Sequence, residues 1–160
     1  MNSHLKLSNR QVIDGLLAQF QNTPGGLLPL LHAVQDTLGF IPPESVDHIA
    51  DGFNRSRAEV HGVITYYHHF RMSPPGRHLI QVCRGEACQA CGSEALLAEM
   101  EGALGCKSHD TSADGNYTLE AAYCLGLCSV SPAVQVDDRL IGRANVDRVR
   151  EVLNHMEGKQ

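Results

Sequence analysis

In the first half of the chain, apolar residues recur every three or four positions, which is the spacing that buries one face of a helix. Ser8 and Gln11 form a capping box that predicts where a first helix begins, and the stretch Asn22–Gly26 predicts its end. A second helix is predicted to follow, because Pro29 suits a first helical turn and Gly39 suits the position just after a helix.

Two more helices are predicted before residue 75. Ser56 and Glu59 form a second capping box, which predicts the beginning of the fourth helix. Four short amphipathic helices joined by brief loops predict a small helical bundle. The apolar positions of the third and fourth helices are Val46, Ile49 and Phe53, and then Val60, Val63, Ile64 and Tyr67.

The period of the pattern changes after Ser73-Pro74-Pro75-Gly76, from helical spacing to the alternation that is typical of strands. Proline and glycine together interrupt regular structure, so this stretch is the best candidate for a domain boundary. We therefore predict a helical domain over residues 1–75 and a second domain over residues 76–160.

The second domain is predicted to have an α/β fold, because strand and helix patterns alternate along it. Two of its predicted strands end directly before a cysteine. The predicted elements are a strand over Arg77–Val82, a helix over Ser93–Met100, a polar loop over Ser108–Gly115, a strand over Tyr117–Tyr123, a hairpin over residues 133–142 that turns at Asp137-Asp138, and a last helix capped by Asn145.

All six cysteines lie in the second domain, and four of them form two closely spaced pairs. Cys83 and Cys88 have four residues between them, Cys124 and Cys128 have three, and thirty-five residues separate the pairs. Each pair follows a predicted strand, so we expect the pairs in two neighbouring strand-end loops. Four thiolates offered in this way predict a metal–sulfur site, and most directly an iron–sulfur cluster of the two-iron kind.

Gly85 and Gly126 lie inside the two cysteine pairs. Because glycine has no Cβ, the backbone at these positions can approach inorganic sulfide closely and direct N–H groups at it. Arg84 is a candidate for raising the reduction potential of a cluster through its positive charge, and it is equally consistent with a solvated surface arginine.

Three other interpretations of the cysteines stay open at this point. A zinc site could use the same four thiolates, although the cysteine pairs of zinc sites usually enclose two residues. Cys88 and Cys91 form a C-x-x-C motif just before a predicted helix, which suits a dithiol redox protein but leaves the other paired cysteines without a role. The cysteines could also be buried thiols that pack as small apolar residues, and we assign Cys91 and Cys106 to that class, although Cys91 is close enough to the pairs to be a substitute ligand.

Composition and charge narrow the functional classes. The chain has 13 basic and 18 acidic residues and no basic block, which argues against a protein that binds a nucleic-acid backbone. We expect a cytoplasmic protein, because the first residues lack a signal-peptide pattern and no apolar run is long enough to span a membrane. In the reducing cytoplasm, six cysteines favour metal or redox chemistry over structural disulfides.

The histidines and aromatic residues around the fourth helix give weaker signals. His61 and His68 would share one helix face, but neither carboxylate nor cysteine accompanies them, so surface or interface contacts are the favoured interpretation. Tyr66, Tyr67 and Phe70 are predicted to pack in the core or against a partner protein. No glycine-rich phosphate loop follows a strand, so the sequence contains no visible nucleotide site.

The cysteine spacing resembles that of the thioredoxin-like [2Fe–2S] ferredoxin family, which includes the 24-kDa subunit of respiratory complex I. The helical half is similar to the same family at Gly39–Glu44 and Glu59–Tyr67. Within the family, the chain is most similar to the gamma subunit of soluble NAD-dependent formate dehydrogenases that contain molybdenum or tungsten. The stretches that carry this finer resemblance are Asn22–Ala33, Cys83–Gln89, Tyr123–Cys128 and Ser131–Ala133.

The resemblance implies a helical bundle followed by a thioredoxin-like domain in which Cys83, Cys88, Cys124 and Cys128 ligate one [2Fe–2S] cluster. The two remaining cysteines would not be ligands. The chain would turn over no substrate alone, and it would exchange single electrons with the FMN of a larger, NAD-binding partner subunit. The helical half would be the docking surface. The parent complex would be a formate dehydrogenase, with complex I or an NAD-linked hydrogenase as alternatives.

Overall fold

A computed structural model describes the backbone of residues 3–157 and the side chains of residues 9–156. The chain divides into two compact units, and the division falls between Pro74 and Pro75. The first unit is helical, and the second is built around a five-stranded sheet. None of the helices that the structure describes is long and apolar enough to cross a membrane.

The first unit contains the four predicted helices within its described residues. Gly39 follows the second helix with a φ of 82°, in the left-handed region that glycine adopts most easily, so the predicted stop is confirmed. The capping box of Ser56 and Glu59 is also confirmed, with hydrogen bonds in both directions. The helices are α1 over Ser3–Phe20, α2 over Leu27–Leu38, α3 over Val46–Gly52 after a 3-10 turn over Pro43–Ser45, and α4 over Arg57–Tyr66.

The predicted beginning of the first helix was wrong. The helix α1 begins at Ser3, so Ser8 lies inside it and cannot cap it. Neither proline nor glycine stands between Ser3 and Ser8, and the backbone therefore continues as a helix through the apparent capping box.

A single apolar core holds the helical unit together. Its buried Gln35 is 4% exposed and satisfies both ends of its amide, since Nε2 donates to the His69 carbonyl and Oε1 accepts from the Arg71 N–H, each at 2.8 Å. These two bonds hold the segment that follows α4 against α2. The core residues are Ile13, Leu17, Leu30, Leu31, Val34, Ile41, Val46, Ile49, Ala50, Val60, Ile64 and Phe70.

The second unit confirms the predicted α/β order and adds two elements and a 3-10 turn over Cys128–Val130. A two-residue strand lies inside the segment that was predicted to be a loop, and a five-residue helix, too short to show a helical period, follows the first cysteine. The elements are β1 over His78–Cys83, α5 over Glu86–Ala90, α6 over Ser93–Leu104, β2 over Asp110–Thr111, β3 over Tyr117–Ala122, β4 over Ala133–Val136, β5 over Arg139–Gly142 and α7 over Val146–Glu157.

The sheet has the strand order β2-β3-β1-β4-β5, with β1 and β3 parallel and the other neighbours antiparallel. The helices α6 and α7 pack against each other and against the sheet. Their apolar faces and the strands enclose the main core of this unit, which includes Ile80, Leu119 and Val134. The parallel strands β1 and β3 lie at the centre of the sheet, and the loops that carry the cysteine pairs follow these two strands.

The predicted hairpin of β4 and β5 is confirmed, and its turn has a structural role. Asp137 has a φ of 51°, and its carboxylate accepts the Leu79 N–H and contacts His78 Nδ1, both at 2.8 Å. The turn therefore fastens the hairpin to the beginning of β1. The predicted cap of the last helix is also confirmed, because Asn145 Oδ1 accepts the Arg148 N–H at 2.9 Å.

Candidate metal–sulfur centre

The two cysteine loops leave the sheet side by side. The strands β1 and β3 run in the same direction, so their carboxyl ends reach the same edge of the sheet. Cys83 is paired with Ala122 at the last position of this register, and the Arg84 N–H donates to the Ala122 carbonyl at 2.6 Å. Cys124 follows Ala122 by two residues. The expectation of two neighbouring strand-end loops is therefore confirmed.

The first loop holds its cysteines inside the protein. Cys83 is the last residue of β1, Cys88 lies in α5, and each is 2% exposed. The two residues form a small apolar cluster with Ala133, against which Leu125 and Leu127 pack. Their side chains lie close enough for each to shift the pKa of the other. Burial raises the pKa of the Cys83 thiol above its usual value.

The second loop holds its cysteines at the surface, since Cys124 and Cys128 are both exposed. Between them, Gly126 has a φ of 77°, and its N–H donates to Cys124 Sγ at 3.4 Å. The nearby Cys124 side chain raises the pKa of the Cys128 thiol. Each loop thus brings two sulfur atoms together.

Hydrogen-bond donors surround the buried sulfurs and connect the two loops. The backbone of Gly85, in the same loop, and that of Leu125, in the second loop, act on the Cys83 sulfur and lower its pKa, against the larger effect of burial. Burial by itself would raise the pKa of Cys88, but hydrogen bonds with Ser131, with Cys83 and with the Ala133 backbone lower it. Donors directed at sulfur stabilise the thiolate, which is the form that binds metal.

Gly85 occupies the narrow space between the two loops. A Cβ at this position would lie 3.1 Å from the Tyr123 carbonyl oxygen, 3.6 Å from Cys83 Sγ and 3.7 Å from the Cys124 Cα. Its φ of −67° is open to any residue, so the close approach and not the conformation requires glycine here. Gly126 shows the opposite case, because a Cβ there would meet open space but the positive φ would be strained.

Known proteins with similar sequences identify the family of this site. The family of thioredoxin-like [2Fe-2S] ferredoxins matches residues 13–157. The chain belongs to this family. One relative is a subunit of the NADH-quinone oxidoreductase of Rhizobium meliloti, 31% identical over 92% of this chain and 88% of the relative. Another is the HndA subunit of the NADP-reducing hydrogenase of Solidesulfovibrio fructosivorans, 30% identical over 90% and 84% of the two chains.

A solved structure with the same fold is that of the NAD+-reducing [NiFe]-hydrogenase in the air-oxidized state. The TM-score is 0.66 at 22% sequence identity, and the match covers 84% of this chain. This chain spans about a quarter of that hydrogenase chain, of which 23% is matched. At this identity the likeness establishes the fold alone.

As a member of this ferredoxin family, the protein has one [2Fe–2S] cluster as its cofactor. The donor set fits such a group. Two pairs of sulfur atoms meet at one edge of the sheet, as a cluster with two iron atoms requires, and N–H groups point at them. Gly85 leaves space that a Cβ would fill. In the described part of the chain, no three His, Cys, Asp or Glu side chains converge on a single ion position.

Cys91 and Cys106, the two cysteines outside the pairs, differ in burial. Cys106 is 8% exposed within the main core of the sheet unit, as a buried thiol should be, and burial raises its pKa. Cys91 was predicted to be buried as well, which was wrong. It lies at the end of α5, whose five residues are too few to cover it, and is exposed.

Arg84 is neither a free surface cation nor an isolated charge beside the sulfurs. Its Nη2 lies 2.5 Å and its Nε 3.0 Å from Glu94 Oε1 in α6. This ion pair raises the pKa of Arg84. The positive charge near the first loop is therefore balanced by a carboxylate.

The residues around the end of α4 depart from the sequence prediction in one respect. The helix ends at Tyr66, so His68 lies beyond it and does not share a helix face with His61, contrary to the prediction. Phe70 is buried in the helical core, whereas Tyr66 and Tyr67 are exposed. His69, whose ring lies 5.2 Å from that of His32, has its pKa lowered chiefly by burial.

Sequence reasoning did not identify Ser131 as part of the centre. Its Oγ lies 3.3 Å from Cys88 Sγ and donates to the Cys128 carbonyl at 3.0 Å. The second bond follows a common local pattern, in which a serine side chain binds the carbonyl three residues earlier, and it could have been anticipated. The first bond joins residues 43 positions apart and requires the fold.

Proposed function

We propose that Cys83, Cys88, Cys124 and Cys128 ligate the [2Fe–2S] cluster and that the chain is an electron-transfer subunit. The observation that carries this proposal is the meeting of two sulfur pairs at the ends of the parallel strands β1 and β3. The Leu125 backbone of the second loop acts on the pKa of Cys83, and Cys88 of the first loop acts on that of Cys128, so the two loops lie close together, which suits a single group held by both.

A bound [2Fe–2S] cluster takes up and releases one electron at a time. The residues of this chain set the conditions for that transfer. Backbone donors at Gly85, Leu125 and Gly126 stabilise negative charge on the sulfurs, which favours the reduced form. The buried pair anchors the site, and the exposed pair of Cys124 and Cys128 brings it to the surface, where a partner protein can exchange electrons with it.

We infer that the partner is a subunit that carries FMN and NAD, and that the parent complex is an NAD-dependent formate dehydrogenase with molybdenum or tungsten. The formate dehydrogenase assignment rests on the resemblance of four stretches to its gamma subunit, namely Asn22–Ala33, Cys83–Gln89, Tyr123–Cys128 and Ser131–Ala133. The relatives named above act in an NADH-quinone oxidoreductase and an NADP-reducing hydrogenase, so the equivalent subunit of such complexes is the alternative. The reducing cytoplasm is the compartment we propose.

The helical unit supplies the surface that we propose docks on the flavin subunit. Tyr66 is 74% exposed and Tyr67 is 43% exposed, and exposed tyrosines are frequent in protein interfaces. Beside them lies an open groove of about 740 Å3 whose walls include Phe53, Gly62 and Val63. A protein surface with an apolar projection would fit this groove.

Anaerobic purification of the tagged chain from its native host tests the proposal. We expect a brown protein with two iron and two sulfide per chain, a rhombic electron-spin signal after reduction, and co-purification of a flavin subunit. Molybdenum or tungsten in the complex would identify a formate dehydrogenase, and nickel would identify a hydrogenase. A colourless protein with zinc, or with a redox-active disulfide between Cys88 and Cys91, would refute the cluster function.

A further inference from the structure

We propose that Ser131 is a positioning residue that acts through Cys88: its hydroxyl donates a hydrogen bond to the Cys88 sulfur and thereby raises the reduction potential of the [2Fe–2S] cluster. This inference rests on the ligand set proposed above. Ser131 Oγ lies 3.3 Å from Cys88 Sγ and 3.0 Å from the Cys128 carbonyl oxygen. One side chain thus contacts a residue from each cysteine pair.

The direction of the bond between Ser131 and Cys88 follows from the chemistry of the ligand. In the free protein both groups carry a proton, and either atom can be the donor. A cysteine that binds metal is a thiolate and has no proton to give. The Ser131 hydroxyl is then the only possible donor of the two. A hydrogen bond to a charged acceptor is stronger than one to a neutral acceptor, so the thiolate competes well with the Cys128 carbonyl for this proton.

The surroundings increase the effect of this bond. Cys88 is 2% exposed, and Ser131 is half-buried, so water has little access to the contact. Electrostatic interactions are stronger where water is excluded. The other donors to the buried sulfurs are backbone groups at Gly85, Leu125 and Ala133, which the fold itself positions. Ser131 provides a donor that a single side-chain substitution can remove.

Reduction adds negative charge to the cluster and its sulfur ligands, and a donor at sulfur stabilises the reduced form more than the oxidised form. Removing the hydroxyl in Ser131→Ala should therefore lower the reduction potential. We expect the equilibrium constant for reduction to fall about tenfold, which corresponds to about 59 mV for a one-electron couple.

The experiment is a redox titration of the anaerobically purified full chain, followed by its electron-spin signal. Ser131→Ala should have a lower midpoint potential than the wild type, and Ser131→Thr, which keeps the hydroxyl, should be close to the wild type. Ser131→Val has the shape of the threonine variant without its hydroxyl and should follow the alanine variant. Ser129→Ala is the matched control, because Ser129 is an exposed serine beside Cys128, and it should leave the potential unchanged.

A vibrational measurement gives a second readout. The frequencies of the bonds between iron and cysteine sulfur should shift between water and heavy water, because the hydroxyl proton exchanges. That shift should be smaller in Ser131→Ala and Ser131→Val than in the wild type and Ser131→Thr. A side chain that only fills space would leave it unchanged.

Three results would overturn the inference. One is an equal potential in all variants, and another is a threonine variant that behaves like the valine variant. The third is loss of the cluster from the alanine and valine variants, whether or not threonine retains it, because the side chain would then hold the cluster and not adjust its potential. Failure of the proposed function looks different: the wild-type chain itself would lack two iron and two sulfide, or the potential would persist after Cys88 is replaced.

Discussion

The two cysteine pairs have the same proposed role, yet they lie in opposite surroundings. Cys83 and Cys88 are each 2% exposed and sit at the end of a strand and in a short helix, whereas Cys124 and Cys128 are exposed in a loop that turns at Gly126. One pair is buried in the protein, and the other lies at the surface. The contrast shows how a small domain can both anchor a cluster and leave it accessible to a partner.

This difference in burial corresponds to two requirements of an electron-transfer site, which are a stable ligand geometry and a short distance to the partner protein. Ligands packed among apolar side chains such as Ala133 and Leu125 hold their geometry through repeated oxidation and reduction. Ligands at the surface shorten the distance to an electron donor or acceptor on another protein. On the proposed ligand set, we therefore expect the first pair to contribute to the stability of the domain and the second pair to face the proposed partner.

Serine substitutions of the four paired cysteines should produce the largest effects and separate the two pairs. Each variant should lose the two iron atoms, because a thiolate is replaced by a poorer ligand. In the cluster-free chain, Cys83→Ser and Cys88→Ser should lower the free energy of unfolding by about 1–3 kcal/mol, because a buried hydroxyl costs more desolvation than a thiol and its shorter bond to Cβ moves it away from polar groups placed for sulfur. Cys124→Ser and Cys128→Ser should change it by less than about 0.5 kcal/mol. Iron analysis and urea unfolding measure the two effects.

The matched control for these variants is Cys91→Ser, which alters an exposed cysteine outside the pairs. It should keep its iron and its stability. Loss of iron in this variant would show that the ligand set is wrong. Equal destabilisation by Cys88→Ser and Cys124→Ser would contradict the contrast in burial between the pairs.

The pairing of the cysteines could be predicted from the sequence, but their contrast in burial could not. Spacing and the preceding strand patterns are local, and they correctly predicted two loops at strand ends. The burial of Cys88 depends on α5, which has only five residues and shows no helical period. The exposure of Cys124 depends on the left-handed turn at Gly126. Both depend on what packs over the loop, which sequence spacing does not encode.

In the helical unit too, local sequence signals predicted some helix ends correctly, whereas ends that depend on tertiary contacts could not be predicted. Signals that act within a few residues, such as Gly39 and the capping box of Ser56 and Glu59, correctly predicted helix ends. The same capping pattern at Ser8 failed, because a capping box can also fit inside a helix that nothing interrupts. The end of α4 at Tyr66 has no proline or glycine to mark it, and the segment that follows is held by hydrogen bonds between the Gln35 side chain and the backbone of His69 and Arg71.

Alkylation of the cluster-free chain should show a difference in reaction rate between the two cysteine pairs. We expect this effect to be smaller than that of the serine substitutions, but it measures the accessibility of each sulfur directly. Cys124 and Cys128 should react with a thiol reagent at least about tenfold faster than Cys83 and Cys88, because reaction requires access to the sulfur. Mass spectrometry of the labelled peptides measures each rate. In the cluster-loaded protein all four should be protected, and Cys91 should still react as an internal standard. A Cys88 that reacts as fast as Cys124 without the cluster would contradict the buried position of the first pair.

Changing the charge of Arg84 or Glu94, beside the first cysteine loop, should have the smallest effect on the reduction potential. These variants test whether the potential responds to charges near the buried cysteine pair. Arg84 is balanced by Glu94, with Nη2 2.5 Å from the carboxylate. Glu94→Gln leaves the arginine charge unbalanced and should raise the reduction potential, and Arg84→Gln should lower it. Each shift should be smaller than about 59 mV, the value of a tenfold change, because solvent and salt screen a partly exposed pair.

The double variant Arg84→Gln, Glu94→Gln separates charge from structure at this position. It removes both charges and should return the potential to nearly that of the wild type, since the pair is formally neutral in both proteins. The two single shifts should also diminish as the salt concentration rises, whereas the shift from the half-buried Ser131 hydroxyl should persist. Two results would contradict a role of charge: potential shifts in the single variants that do not depend on salt, or a double variant that retains either shift. Either result would mean that the ion pair acts on the potential by positioning α6 against the first loop.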